Sequence, residues 1–339
     1  MQNTKCTVVI PEHNRPLHLK RLLDFYLKYD INIIVSDSSD NVFLYLEDYK
    51  EKIEYRHYPA MPLAEKINAI NNLIITPFVF MCANDDFIIP ETVSKIISFL
   101  ENNIEYISGQ GIYVSFDPLK EEITPLLIYD NMLNETLDDI KGVDRLSHLM
   151  RNYFQFYYAV FRTEVFKKIY SSAIKGNKTV INNLRLLEIY VSCYSAIEGK
   201  HIIMSELYGA RESIFMSAGA ITDNMYQVVN SPQYQTEYRD FVKLLSEVIR
   251  EKEALNIIES EIFVVNAVET YLNSHFPKNH RIIYLLMRFC NKKFISRFRR
   301  IVYSYKIKQA QKSIPSSIGG MNYWIGIKKH IIEYLFIYK

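Results

Sequence analysis

Short apolar runs alternate with longer amphipathic stretches through the first part of the chain. Thr7-Val8-Val9-Ile10 predicts a strand, stopped by Pro11 and the polar string Glu12-His13-Asn14-Arg15. Pro16 then opens a helix with Leu19, Leu22, Leu23, Tyr26 and Leu27 on one face. Residues 31–35 predict a second strand, ending in Ser36-Asp37-Ser38-Ser39-Asp40, and residues 54–58 a short edge strand. Residues 63–74 form an amphipathic pattern with Lys66 near its start. Phe78-Val79-Phe80-Met81 predicts a buried strand running into Ala83-Asn84-Asp85-Asp86, and Pro90 starts a helix carrying Val93, Ile96, Ile97 and Leu100. This order is an α/β pattern with a mostly parallel sheet.

Further on, residues 106–116 predict a strand in which Gly109 and Gly111 allow close backbone approach or a bulge. Residues 118–142 are expected to be an irregular loop over the site, 144–150 a helix, and 156–161 a strand. Thr163 is expected to cap the next helix. Residues 184–197 predict an apolar helix with one conspicuous acid, Glu188, terminated by Gly199. Residues 202–204 with 207–208 then form a final edge before Arg211. From Pro232 the alternation ceases and helical periodicity takes over. Gly, Asn, Ser and Pro cluster over 219–232, so the reading is an α/β domain over 1–220 and a helical module over 232–339.

Composition narrows the class. A chain of 339 residues, 49% hydrophobic and 23% charged, has room for a catalytic domain plus a further module. The N-terminal stretch lacks a basic region followed by a signal-length apolar core, so no leader is expected. Cys6, Cys82, Cys193 and Cys290 form no CxxC pair and read as reduced core residues of a cytoplasmic protein. The net charge of +2 hides a split: 13 Lys/Arg lie between Lys278 and Lys329, against 27 basic and 38 acidic residues elsewhere. An acidic body with a basic tail suits an anionic surface.

The candidate chemistry sits where strands end. Loops at the carboxyl ends of parallel strands face one crevice, so 11–15, 36–40 and 83–86 are expected to converge. Paired carboxylates there suit a hard cation such as Mg²⁺ or Mn²⁺ shared with phosphate oxygens. The plainer reading is an acidic turn that caps the next helix. Lys66 is either a point charge for a diphosphate or a solvated helix lysine. Glu188 is either a general base or a carboxylate paired with Arg185 or Arg211. His13 and His201 read first as ordinary polar residues, with a place at the border of the crevice for His13 and an approach to a bound cation for His201 as the alternatives. No HExxH, GxSxG, Walker-type or GxGxxG string occurs, which removes zinc-protease, common hydrolase, P-loop and dinucleotide readings.

The Ile10-Pro11-Glu12-His13-Asn14-Arg15-Pro16 string, the Ser36-Asp37-Ser38-Ser39 turn and the Ala83-Asn84-Asp85-Asp86 run, in this order, resemble the nucleotide-sugar-binding half of GT-A glycosyltransferases. The likeness is to the inverting family 2 type and its bacterial surface-polysaccharide branch, over 7–211. It implies a Rossmann-like mostly parallel sheet flanked by helices. It also implies a donor site built from Pro11, Glu12, His13, Asn14, Asp37, Ser38, Lys66, Asn84 and Arg211, with Asp37 reading the nucleobase. Asp85 would be the first ligand of Mg²⁺ or Mn²⁺, with Asp86 a second ligand or an orienting group, and Glu188 would be the base. Two positions depart from the pattern: Ala83 stands where the first acid of the D-x-D region is usual, and Ile189 where a second acid would follow Glu188.

The resulting expectation is a glycosyltransferase that moves a sugar from a nucleotide-sugar, UDP-sugar first, to a hydroxyl of a growing capsule or lipopolysaccharide glycan, with inversion. The acceptor would be a glycan or lipid-linked glycan. The basic, aromatic segment 278–329 would lie on an anionic membrane surface at the inner face of the cytoplasmic membrane. A solvated helical bundle is the competing reading of that segment, and no nucleic-acid partner is expected. Two other functions stand beside this one: transfer of another nucleotide-activated group, phosphoryl or phosphoglycerol, and a non-catalytic membrane-associated scaffold.

Overall fold

The computed structural model describes residues 4–120, 123, 125–128, 132, 135–176, 178–213, 223–276 and 314–335. Most of the basic segment, and residues 219–222 of the expected domain boundary, lie outside these residues. Strands β1 (Cys6–Glu12), β2 (Asn32–Asp37), β3 (Glu54–His57) and β4 (Phe78–Met81) lie close to where the apolar runs predict them. β5 (Phe87–Ile88) and β6 (Tyr106–Phe116) follow, then β7 (Leu126–Ile128), β8 (Val160–Arg162), the small hairpin β9 (Ile174–Lys175) and β10 (Lys178–Thr179), and β11 (Lys200–Glu212). Among the described residues one nine-stranded sheet runs β3-β2-β1-β4-β8-β6-β11-β5, with β7 on β6. β1, β2, β3, β4, β6 and β11 share one direction, while β5, β7 and β8 oppose it.

Three sequence expectations shift. The strand expected over 156–161 is only β8, because the Phe156 N–H goes to Ser192 Oγ (3.1 Å) and the Ala159 N–H turns back to the Phe156 carbonyl (2.8 Å). The expected final edge is instead an inner strand: β11 has β6 on one side and β5 on the other. Its register against β6 slips between Ile203 and Leu207. Gly111 is needed there, since a Cβ would meet the Glu206 carbonyl oxygen at 2.5 Å. Thr163 does not cap its helix; its hydroxyl donates to the Thr76 carbonyl (2.7 Å) and ties that helix to the β4 approach.

Helices flank the sheet. α1 (Pro16–Tyr26) starts on proline, buries Leu19, Leu22, Leu23 and Tyr26, and also buries Arg21. α2 (Leu46–Tyr49) is a single turn; α3 (Leu63–Ala69) ends earlier than its pattern predicts and passes into a 3₁₀ turn. α4 (Pro90–Asn102) lies on β6 and β11, and α5 (Gly142–Arg151) and α6 (Thr163–Ser172) precede α7 (Leu184–Glu198). Asn183 caps α7, accepting the Arg185 and Leu186 N–H groups, and the helix is apolar on nearly every side because neighbours cover it all round. α8 (Met225–Asn230) leads to α9 (Gln235–Glu253), packed on α7, and α10 (Ile257–His275), packed on α5 and α9. Finally α11 (Tyr323–Glu333) returns to α1, where His330 Nε2 lies 2.9 Å from the Arg21 carbonyl and Trp324 packs on Phe116. Among the described residues no helix is long and apolar enough to cross a membrane.

Candidate functional site

The sheet reverses its order between β1 and β4, since β2 continues from β1 on one side and β4 on the other. Ligands of open α/β sheets bind outside the carboxyl ends of strands at such a point. The loops after β1 and β4 flank it. In the parallel register Glu12 faces Asp37, so the β1 and β2 loops leave the sheet side by side. They are then knitted together. The Ser38 N–H donates to the Glu12 carbonyl (3.0 Å), and Asn14, at φ +55°, donates its N–H to Ser39 Oγ (2.7 Å). Asn14 and Asp40 exchange two further bonds, and His13 Nδ1 sits 3.1 Å from the Ser38 carbonyl.

Between these loops lies a pocket of about 250 Å³, walled by Glu12, Asn14, Pro16, Asp37 and Ser39 and lipped by residues 41–44. Val42 and Leu44 are exposed on that lip. Asp37 is held from two sides: the Tyr55 hydroxyl donates to Oδ2 (2.6 Å) and the Ser39 N–H to Oδ1 (2.7 Å). Tyr55 in turn accepts the Phe43 N–H (2.9 Å), so it ties the lip to the acid. Lys66 is not solvated. Its ammonium is buried under the two loops, donating to the Glu12 carbonyl (2.5 Å) and Ser38 Oγ (3.0 Å), and burial pushes its pKa down to about 8. Glu12 is buried as well; burial raises its carboxyl, while Asn84 Nδ2 (2.5 Å) and the Arg15 N–H (2.5 Å) oppose that shift.

The loop 83–86 is clasped by arginines. Asp85 Oδ2 pairs with Arg15 Nη1 at 2.6 Å. Asp86 turns the other way, accepting the Glu212 N–H (3.1 Å) and Arg211 Nε (3.2 Å), both from the end of β11. Burial raises the Asp86 pKa to about 7, with Arg211 opposing. Arg21, fully buried on α1, donates to Glu212 Oε2 (2.8 Å) and to the Asp85 carbonyl (3.1 Å), with its guanidinium 4.9 Å from the Phe87 ring centre. The expected metal pair is therefore not a clamp. Its carboxylates point at different partners, Ala83 supplies no oxygen side chain, and among the described residues no three His, Cys, Asp or Glu side chains are grouped to hold an ion. The donor set does not fit a two-carboxylate cation site. His201 is nowhere near it. It lies at the opposite end of β11, fully buried, bonded to Ser108 (2.8 Å) and stacked on Phe156.

Glu188 stands in the first turns of α7, with about a quarter of its side chain exposed and Arg185 Nη1 at 3.0 Å. Of its two candidate partners it takes Arg185, since Arg211 is engaged with Asp86. Burial first and the Glu188 charge next raise the Tyr153 hydroxyl, and the same charge adds to the rise at Tyr157. The next residue, Tyr158, feels Arg211, Asp86 and Asp85. Tyr157 and Tyr158 pack perpendicular to each other, centroids 5.1 Å apart, and the Arg211 guanidinium lies 5.7 Å from the Tyr158 ring centre.

No protein-family model matches the sequence, and no curated protein matches it. Solved structures do. A crystal structure of S. aureus TarS 1-349 aligns over 81% of this chain and 73% of that one at 14% identity, with a TM-score of 0.52. TarS 1-349 in complex with UDP-GlcNAc gives 15% identity and a TM-score of 0.54 over the same shares. A longer TarS chain gives 14% identity and 0.53, with 44% of that chain covered. The fold is GT-A-like. At this identity the likeness is one of architecture: a large, mostly parallel curled sheet, flanking helices and a helical C-terminal region.

Within that architecture the structure brings Pro11, Glu12, His13, Asn14, Asp37, Ser38, Lys66, Asn84, Asp85, Asp86 and Arg211 to one edge of the sheet, while Glu188 stands on α7 paired with Arg185. Sequence reasoning missed Arg21, Glu212, Tyr55 and Tyr158. Arg21 left one signal, a charged residue set among the buried leucines of α1. Tyr55 left none that distinguishes it from an ordinary edge-strand tyrosine.

Proposed function

We propose that this chain is an inverting glycosyltransferase that uses a UDP-sugar. The observation that carries the reading is the pocket between the β1 and β2 loops, with Asp37 in its wall and the loop 83–86 beside it at the switch point of a GT-A-like sheet. TarS itself has been solved with UDP-GlcNAc and with UDP. A uracil in the pocket would donate its ring N–H to Asp37, whose orientation Tyr55 and Ser39 fix, while Val42 and Leu44 cover its face. The diphosphate then leads past Arg15 toward the acidic loop.

On the far side Glu188 takes the proton of the acceptor hydroxyl. The freed oxygen forms its bond to the anomeric carbon as the bond from that carbon to the β-phosphate oxygen breaks. UDP departs with the electron pair, and the configuration inverts because attack and departure are on opposite faces. The motif resemblance supports a growing bacterial surface glycan as acceptor, and the basic composition of 278–329 supports action at an anionic membrane surface.

The test pairs binding with turnover. UDP at about 100 times its Kd should stabilise the protein by about 2.7 kcal/mol, read as a rise in melting temperature, with GDP and CMP much weaker. Glu188→Gln should keep that rise and lose on the order of a hundredfold in UDP release from the cognate UDP-sugar and acceptor. No stabilisation by any nucleoside diphosphate would remove the transferase reading and leave the scaffold.

A further inference from the structure

The arrangement at 83–86 is charge-balanced. Asp85, Asp86 and Glu212 face Arg15, Arg211 and Arg21, so the cluster offers no surplus of negative charge to draw in a dication. A hard cation also needs free carboxylate oxygens, and both oxygens of Asp86 accept N–H groups from β11. A diphosphate still has to be neutralised, above all as it becomes the leaving group.

Arg15 is placed for that. Asn14 and Pro16, the residues on either side of it, form part of the pocket wall, and its side chain reaches from that loop to Asp85. Its own N–H is fixed by Glu12, and the left-handed turn at Asn14 sets the direction of the loop. A guanidinium carries five N–H donors in a rigid fork; only Nη1 is bonded to Asp85, the one side chain it meets among the described residues, and about a third of the side chain remains exposed. The remaining donors match phosphate oxygens bidentately without breaking the ion pair.

We propose that Arg15, steadied by Asp85, takes the place of a divalent cation against the donor diphosphate, so that this site binds UDP without metal. The inference rests on the reading of the pocket as a UDP site and goes beyond it. In it Asp85 is a positioning residue that aims the arginine, and the cation expected from the motif is dispensable.

Calorimetric titration of UDP and uridine with the full chain, in chelator and in Mn²⁺, tests this. Wild type should bind UDP in chelator within about twofold of its affinity in Mn²⁺. Arg15→Ala should weaken UDP about tenfold or more, the size of one charge-assisted contact, and leave uridine unchanged, which shows the pocket intact. Arg15→Lys should recover only part of the loss, because an ammonium lacks the fork. Asp85→Ala should weaken UDP in chelator by about threefold, less than Arg15→Ala does, because the arginine loses its aim but keeps its charge. UDP binding that requires Mn²⁺ and collapses in Asp85→Ala overturns the inference while keeping the UDP site. Absence of UDP binding in both conditions overturns the inference and the UDP site together.

Discussion

Two buried polar clusters flank the switch point, and they satisfy their charges by different means. Under the pocket, Glu12, Asp37 and Lys66 are held mainly by neutral groups: the Asn84 amide, the Tyr55 and Ser38 hydroxyls, backbone N–H groups and one carbonyl. At the acidic loop, carboxylates meet guanidiniums directly, Asp85 with Arg15, Asp86 with Arg211 and Glu212 with Arg21. Neutral partners fix an acid's direction and leave its charge available to a ligand. Ionic partners cancel the charge. The first arrangement suits reading a base; the second suits a rigid wall that takes little from a cation.

The difference predicts unequal costs of losing one partner. Arg21→Ala leaves Glu212 buried without its guanidinium and removes the donor to the Asp85 carbonyl. Stripping one member of a buried pair costs about 3–5 kcal/mol, so the urea midpoint should fall sharply at unchanged slope. A loss below about 1 kcal/mol would mean that water screens this cluster, and the contrast with the pocket side would vanish.

How much of this the sequence revealed follows from the range of each interaction. β1, β2 and β4 are legible because each is a short apolar run buried in the sheet, ended by polar residues at the crevice. Asp37, Asn14 and Asp85 are legible for the same reason, since topology alone brings strand ends together. The partner of Glu212 is not: Arg21 lies 191 residues away, and no local pattern links them. The unlike roles of Asp85 and Asp86 are not legible either. Adjacent aspartates read alike in a string, yet one faces the loop before α1 and the other the end of β11. His201 is an ordinary buried polar residue, away from the acidic loop because β11 is 13 residues long and His201 lies at its start, where Lys200 pairs with Tyr106.

On the pocket side the expected loss is smaller and shows in binding. Tyr55→Phe removes the donor to Asp37 and the acceptor of the Phe43 N–H, loosening the acid and the lip together. UDP affinity should drop by about 1–2 kcal/mol, roughly tenfold, while the unfolding free energy changes by about 1 kcal/mol or less. Equal loss in binding and stability would show that Tyr55 supports the fold alone.

Lys66 sharpens the contrast through pH. Its burial lowers the folded pKa to about 8 from an ordinary 10.5, so between those values the unfolded chain holds more protons than the folded one. Stability from this group therefore rises with pH from about 8 toward 10.5, and below pH 8 its charging is a constant penalty. Over the first unit above pH 8 the gain is about 1 kcal/mol, since one pK unit corresponds to about 1.4 kcal/mol and the folded group still holds part of its proton there. Lys66→Met loses the donor to the Glu12 carbonyl and Ser38 together with the charging penalty, so it should lack that rise and fall further behind wild type as pH increases. Denaturation midpoints at about pH 7.5, 8.5 and 9.5 separate the two effects: a fixed offset reports the lost hydrogen bonds, and only the difference in slope reports the buried ammonium. If wild type and variant ran parallel, Lys66 would be fully charged beneath the pocket. The two sides of the switch point would then handle charge alike.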